Sequence, residues 1–313
     1  MKIPLAYLQL FRARVRLLVA IAGIGFADIL MFMQLGFRDA LFDSATLIHR
    51  KLLADLVLIS PNSEALSAMK PFSRRRLYQT LSLKQVEFVV PVYIDGGEWK
   101  NPETRRTRSL MVMGFDPAKF ILDLPDVNQK LDKIKLPDVV LFDAASRPEF
   151  GPIQREFEQG DTIKTELNGH QITVGGLVTL GTSFAADGNV IVSYLTFLRL
   201  FPERAKDQID IGLIELKPGV NPVVVLHQLE AILPKDVKVL THQGFVEFEK
   251  HYWTTSTAIG FIFASGTAIG FVVGIVIVYQ ILYANVSDHL PEYATLKAIG
   301  YRHSYLLGVV FQE

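Results

Sequence analysis

Two long runs of apolar positions stand out along the chain, and between them the pattern shortens into strand-like alternation and helical periods. Residues 17–37 read LLVAIAGIGFADILMFMQLGF, interrupted only by Asp28 and Gln34. Residues 252–287 hold no Asp, Glu, Lys, Arg or His, and 258–283 are almost wholly apolar. At about 1.5 Å rise per residue, some 20 residues cross a hydrocarbon layer roughly 30 Å thick. The pattern therefore predicts membrane helices at 17–41 and 252–286. The first run outlasts the roughly 7 to 15 apolar residues of a secretory signal and no small-x-small cleavage site follows it, so it reads as an uncleaved anchor. Asp28 costs it about 2.5–3.5 kcal/mol, while eleven Leu, Ile, Phe and Val residues together return about 3–6 kcal/mol, and the span holds.

The long segment between the runs, 42–251, reads as a folded mixed α/β region. Strand patterns fall at Leu56 to Ile59, Glu87 to Ile94, Ser109 to Phe115, Val139 to Phe142, Gln171 to Leu177, Asn189 to Ser193, Ile209 to Leu216 and Val237 to Leu240. Helical patterns occupy Arg74 to Leu81, Tyr194 to Leu200, Pro222 to Leu233 and Gly244 to Tyr252. Asp95-Gly96-Gly97 and Asn168-Gly169 are expected to form hairpin turns, and Lys217-Pro218-Gly219 to close a strand before a helix. Two subdomains are expected, parting near 70–85 and again near 200–208.

Charge fixes the orientation. Lys2, Arg12, Arg14 and Arg16 flank the first run, and Lys297 and Arg302 follow the second, which places both termini on the cytoplasmic side and 42–251 outside. Residues 1–16 suit a helix lying along the membrane surface, with Leu5, Leu8, Leu10, Phe11 and Val15 toward membrane lipids. The 313 residues carry 32 basic and 32 acidic groups, and this balance excludes the basic surplus that a nucleic-acid binder needs. The lack of cysteine removes thiol chemistry and disulfides. No phosphate-binding GxxxxGK[ST] loop, HExxH pair or GxSxG elbow occurs, so no enzyme activity or cofactor is expected, and any ATP hydrolysis belongs to another subunit. Glu247, Glu249 and His251 alternate, which suits metal ligation only on a strand, whereas the surrounding pattern is helical; they read as a solvated face. Arg74 to Arg76 and the Arg105-Arg106 pair read as exposed faces or partner contacts.

Three features remain. Gly266, Gly270 and Gly274 share one face of the second span and predict a close helix-packing seam, with Gly23 and Ala27 as a lesser counterpart on the first. Asp28, an intramembrane polar residue, is expected to face the bundle interior, with Thr267 as a hydrogen-bond partner at similar depth. Residues 287–305 then read as a short cytoplasmic helix. Pro291 and Glu292 lie in its first turn and Gly300 is its left-handed C-terminal cap. From 306 to 313 the chain turns apolar again, as the start of a third span.

The run EYATLKAIG, Glu292 to Gly300, following a glycine-rich span, resembles the coupling segment of FtsX-like, MacB-type ABC permeases. The basic N-terminal helix, the LLVAIAGI and LMFMQLGF runs and the large segment between the spans resemble the DevC branch, here ending before a third span. The resemblance implies an α-helical membrane protein with a large mixed α/β periplasmic domain, of type VII ABC permease architecture. It implies a homodimeric, non-catalytic subunit of a tripartite exporter in the inner (plasma) membrane of a Gram-negative-type, cyanobacterial cell. The implied partners are a separate ABC ATPase subunit, a periplasmic adaptor and an outer-membrane channel, and the implied cargo is lipid-like. Carried onto this sequence, Glu292, Tyr293, Ala294, Thr295, Leu296, Lys297, Ala298, Ile299 and Gly300 would be the ATPase contact. The competing expectation is a two-span sensor with a periplasmic ligand-binding domain, against which stands the short segment after the second span.

Overall fold

A computed structural model of the chain describes residues 14–183 and 186–310. The surface helix expected at 1–16 falls outside the described residues up to position 13, and the expected third span does so beyond position 310. The chain divides into two compact units, Ala40–Ser256 and Met1–Asp39 with Thr257–Glu313.

Helix α1 (Arg14–Ala45) leads into the larger unit, followed by α2 (Leu47–Lys51), β1 (Leu56–Ile59), β2 (Phe72–Ser73), α3 (Arg74–Gln79), β3 (Val86–Lys100) and β4 (Thr107–Phe115). Then come α4 (Pro125–Asn128), β5 (Val139–Asp143), α5 (Ile153–Glu158), β6 (Lys164–Leu167), β7 (His170–Val178) and β8 (Asn189–Ser193). The unit ends with α6 (Tyr194–Leu200), β9 (Gln208–Ile209), β10 (Ile211–Leu216), α7 (Pro222–Ile232), β11 (Lys238–Thr241) and α8 (His242–Thr255).

Nine strands form one sheet in the order β11-β1-β10-β3-β4-β8-β5-β7-β6. Strand β3 changes partners midway. Its first half pairs antiparallel with β10, from Val86 to Val92, and its second half pairs with β4, from Tyr93 to Lys100. The end of β3 also pairs with β6, through Trp99 with Leu167 and Lys100 with Glu166, so the six strands from β3 to β6 close on themselves. Closure removes the unpaired edges that an open sheet would expose. The chain passes from open sheet to closed ring inside β3, at Val92-Tyr93.

Burial explains why the apolar runs took this form. Strand β1 is buried on both faces, with Leu56 and Leu58 in one core cluster and Val57 and Ile59 in the other, so all four positions are apolar. The first cluster fills the ring around Trp99, Phe142 and Phe150 and continues under α3, α6 and α7 through Leu77, Phe197 and Leu229. The second lies under α2 and α8, through Ile48 and Phe245.

The expected turn at Asp95-Gly96-Gly97 is corrected, because β3 runs straight through it. A Cβ at Gly97 would lie 2.7 Å from Val112 Cγ2 and 2.9 Å from Leu167 Cδ1, so the glycine admits the side chains of two neighbouring strands rather than bending the chain. The turn comes at 101–106, where Asn101 Oδ1 accepts hydrogen bonds from the amides of Glu103 and Thr104, and Arg105 takes a φ of 59°. The hairpin at Asn168-Gly169 does form, with both residues at positive φ, between β6 and β7.

In the smaller unit, the Arg14–Asp39 part of α1 is joined by α9 (Ala258–Asp288), α10 (Leu290–Ala298) and α11 (His303–Val310). Residues 252–255, expected in the second span, instead end α8 in the larger unit. The reason is Trp253, which is buried with its indole N–H on Glu249.

Candidate functional site: the helix pair, the short helix after it, and a buried polar cluster

The helix pair exposes its bulk and buries its small residues. Phe26, Phe32, Phe261, Ile269 and Phe271 are all more than half exposed, whereas Ala27 and Gly270 are buried. A water-soluble helix pair reverses this pattern. Both helices are long and apolar enough to cross a hydrocarbon layer.

The register between them follows from the small residues. A Cβ at Gly266 would meet Gln34 at 2.9 Å, one at Gly270 would meet Met31 Cγ at 2.9 Å, and one at Gly274 would lie 3.9 Å from Ala27 Cβ. From the other side, a Cβ at Gly23 would come within 3.1 Å of Ile277 Cγ2. As one number rises the other falls, so the helices run antiparallel, with the three glycines along their contact.

That register corrects the expected partnership of Asp28 with Thr267. Thr267 neighbours Gly266, level with Gln34, and so stands nearly two helical turns from the level of Asp28. Its hydroxyl donates to Phe263 O one turn back in its own helix. Asp28 lies one position past Ala27 and is exposed, off the seam rather than in it.

Helix α10 is built from local signals. His289 precedes it, with its ring Nδ1 3.2 Å from Glu292 Oε2, and Pro291 sits in the first turn, where its missing N–H costs nothing. The helix ends in a Schellman motif: Tyr301 N donates to Leu296 O, Gly300 N donates to Lys297 O, and Gly300 has a φ of 106°. Of the nine residues from Glu292 to Gly300, Tyr293 is buried, Leu296 is half-buried and the others are exposed, including Ile299 at 71%. The arrangement is a capped, short helix presenting Ala294, Lys297, Ala298 and Ile299 outward.

A third grouping, in the larger unit, centres on Glu249, which the sequence pattern placed on a solvated face. Glu249 of α8 is fully buried, and its carboxylate accepts hydrogen bonds from Leu66 N at 2.8 Å and from Trp253 Nε1 at 2.9 Å. His49 of α2, also fully buried, places Nε2 3.2 Å from Glu249 Oε2, close enough to pair but not aligned for a hydrogen bond. Its ring packs on Phe245 at 4.4 Å between centroids, and His242 Nε2 lies 2.8 Å from His49 O. Glu249 thereby joins α8, the last helix of the unit, to the segment after β1. The expected solvated face holds for Glu247 and His251, which are exposed, and is corrected for Glu249, which the Leu66 amide and the Trp253 indole draw into the core. Among the described residues no three His, Cys, Asp or Glu side chains converge to hold a metal ion.

A buried ion pair pins β3 where it changes partners. Asp210 accepts from Ile94 N at 2.8 Å, and Arg204 reaches Asp210 at 2.7 Å, Asp95 at 3.0 Å and Ile94 O at 3.2 Å. Burial pushes the Asp210 carboxyl above its usual range, against the pull of the Arg204 guanidinium. On the ring, hydrogen bonds from Lys100 and then Arg105 hold Glu166 below the ordinary carboxylate range. Arg108 first, with Arg147 further on, does the same for Asp187.

No protein-family model and no curated protein matches the chain. Among solved structures, it is similar to the periplasmic region of MacB from Actinobacillus actinomycetemcomitans, at 14% identity and a TM-score of 0.42, covering 62% of this chain and 91% of that one. It is also similar to the extracellular domain of the noncanonic ABC-type transporter YknZ from Gram-positive bacteria, at 13% identity and a TM-score of 0.39, covering 59% of this chain and 99% of that one.

Proposed function

We propose that the chain is the non-catalytic permease subunit of an ABC exporter, passing motion from a separate ATPase to the α/β domain across the membrane. The observation that carries this reading is the pairing of an inside-out helix couple with a short capped helix directly after it. Large apolar side chains facing outward require hydrocarbon rather than water, since each one left in water forgoes about 1.5–3 kcal/mol. The following helix has an exposed, mixed apolar and basic surface, Ala294, Lys297, Ala298 and Ile299, and a Schellman cap that fixes where it stops.

In this reading both termini are cytoplasmic, the α/β domain is periplasmic, and Glu292 to Gly300 meet the ATPase. The three glycines keep the two spans close, so that a push on α10 moves them as a pair. A second copy of the chain, a periplasmic adaptor and an outer-membrane channel complete the exporter, and the cargo is lipid-like. The sequence resemblance supports these last assignments.

The test is purification of the intact protein from its native membranes, with mass spectrometry to identify any co-purifying ATPase by its phosphate-binding loop. Leu296→Asp or Lys297→Glu is expected to abolish co-purification while leaving the protein in the membrane. Retention of the ATPase after residues 291–300 are replaced by a flexible spacer would refute the reading.

A further inference from the structure

A cavity of about 560 Å³ opens in the α/β domain between the segment after β1, the middle of β3 and the start of β4. Half-buried Met69 and the exposed edges of the otherwise buried Leu66, Leu110 and Met111 give it an apolar wall. Its charges are mostly answered within the protein. Asp95 is paired with Arg204 at 3.0 Å, and Asp187 with Arg147 at 2.7 Å. Lys70, which also lines the cavity, is exposed and has no ion-pair partner among the described residues.

The segment carrying Lys70 is held in place before any ligand arrives. Leu66 N donates to the buried Glu249, Lys70 N donates to Ser63 Oγ at 3.0 Å, and Ser63 is itself buried. A cation on a fixed loop beside an apolar wall needs little reorganisation to take a complementary ligand.

We propose that this cavity binds an amphiphile with a single anionic head, the head on Lys70 and the apolar body on the Leu66, Met69, Leu110 and Met111 wall. A cationic head would meet the Lys70 ammonium, while an uncharged one would leave it unanswered. A bare anion would leave the apolar wall in water. The site lies within the α/β domain and requires no ATPase, so it stands or falls separately from the function proposed above.

The test uses the full chain in lipid nanodiscs, with hydrogen–deuterium exchange read peptide by peptide during titration with octanoate, octanol, octyltrimethylammonium or inorganic phosphate. Octanoate is expected to slow exchange several-fold in 66–71, 94–96 and 109–111, and the other three probes are not. Lys70→Gln is expected to weaken the octanoate effect by about tenfold or more, as loss of a charge-assisted hydrogen bond implies, and Lys70→Arg to retain it. Equal protection by octanol or the cation, equal protection by phosphate, or an unchanged titration in Lys70→Gln would each overturn the proposal.

Discussion

Glu249 offers the sharpest test of the physical account. Its carboxylate has no solvent exposure and satisfies two N–H donors, the Leu66 amide and the Trp253 indole. Glu249→Ala leaves both donors buried without a partner, at about 1–3 kcal/mol each, plus a cavity where the side chain stood. Losing the buried charge offsets part of this, and the net destabilisation is about 3–5 kcal/mol. Glu249→Gln keeps the shape and one accepting oxygen, but turns an NH2 group toward the second donor, so about 1–3 kcal/mol is lost. For a domain of this size, 1 kcal/mol moves the melting temperature by about 2–4 °C. Urea titration of the full chain in detergent, followed by tryptophan fluorescence, measures the order wild type, Gln, Ala. Exchange at the Leu66 amide is expected to rise most in the alanine variant. The reasoning fails if Glu249→Ala lies within 1 kcal/mol of wild type, or if Gln costs more than Ala.

The chain is free of cysteine, so the pair Ala27→Cys with Gly274→Cys can be oxidised without competition. At 3.9 Å between Cβ positions it is expected to form an intramolecular disulfide in membranes, where Ala27→Cys with Gly266→Cys does not. Efficient closure of the second pair would displace the helix register described here. Asp28→Leu is expected to improve insertion of the first span by roughly 3–4 kcal/mol in a membrane-insertion assay, because an exposed mid-span carboxylate is replaced by an apolar side chain. An unchanged insertion efficiency would mean that the carboxylate already has a partner in the inserted state. Glu166 has a folded pKa held down by Lys100 and Arg105, so its stabilising contribution is complete above the unfolded value of about 4.3 and is lost as pH falls through the folded value. Glu166→Gln should therefore flatten the stability curve on the acid side, and an identical slope in both proteins below pH ~4 would contradict the pairing.

Elements buried on two faces or capped locally were legible from the sequence almost to the residue. Strand β1 and the Val190 to Val192 centre of β8 are continuous apolar runs because neither face meets water, and α6 begins where Ser193 caps it by accepting from Thr196 N at 3.2 Å. Strand β6 was not legible. Its four residues, Lys-Thr-Glu-Leu, alternate only weakly, and they are a strand because the end of β3 reaches them to close the ring. That pairing joins Trp99 to Leu167, far apart in sequence, and no local pattern encodes it. The same holds for Gly97: two adjacent glycines after an aspartate signal a turn unless Val112 and Leu167 are known to stand beside them.

The candidate sites divide along the same line. The start and cap of helix α10 could be read, since a proline in the first turn and a glycine at positive φ are chemical instructions confined to ten or so residues, but the expected 287–305 overran Leu290–Ala298 at both ends. The partner of Asp28 could not, because depth counted along one helix says nothing of register against another until the closest approaches are known. Gly266, Gly270 and Gly274 supply those approaches, and they set Thr267 opposite the Gln34 level instead. Glu249 was misread, as part of a solvated face. With Phe245 and Trp253 at four-residue spacing it falls on the buried stripe of α8, where an acid is too costly to leave unpaired. Its alternation with Glu247 and His251 suggests a solvated face, and only the four-residue spacing to Phe245 and Trp253 carries the opposite signal, without naming Leu66 or His49 as what the carboxylate holds.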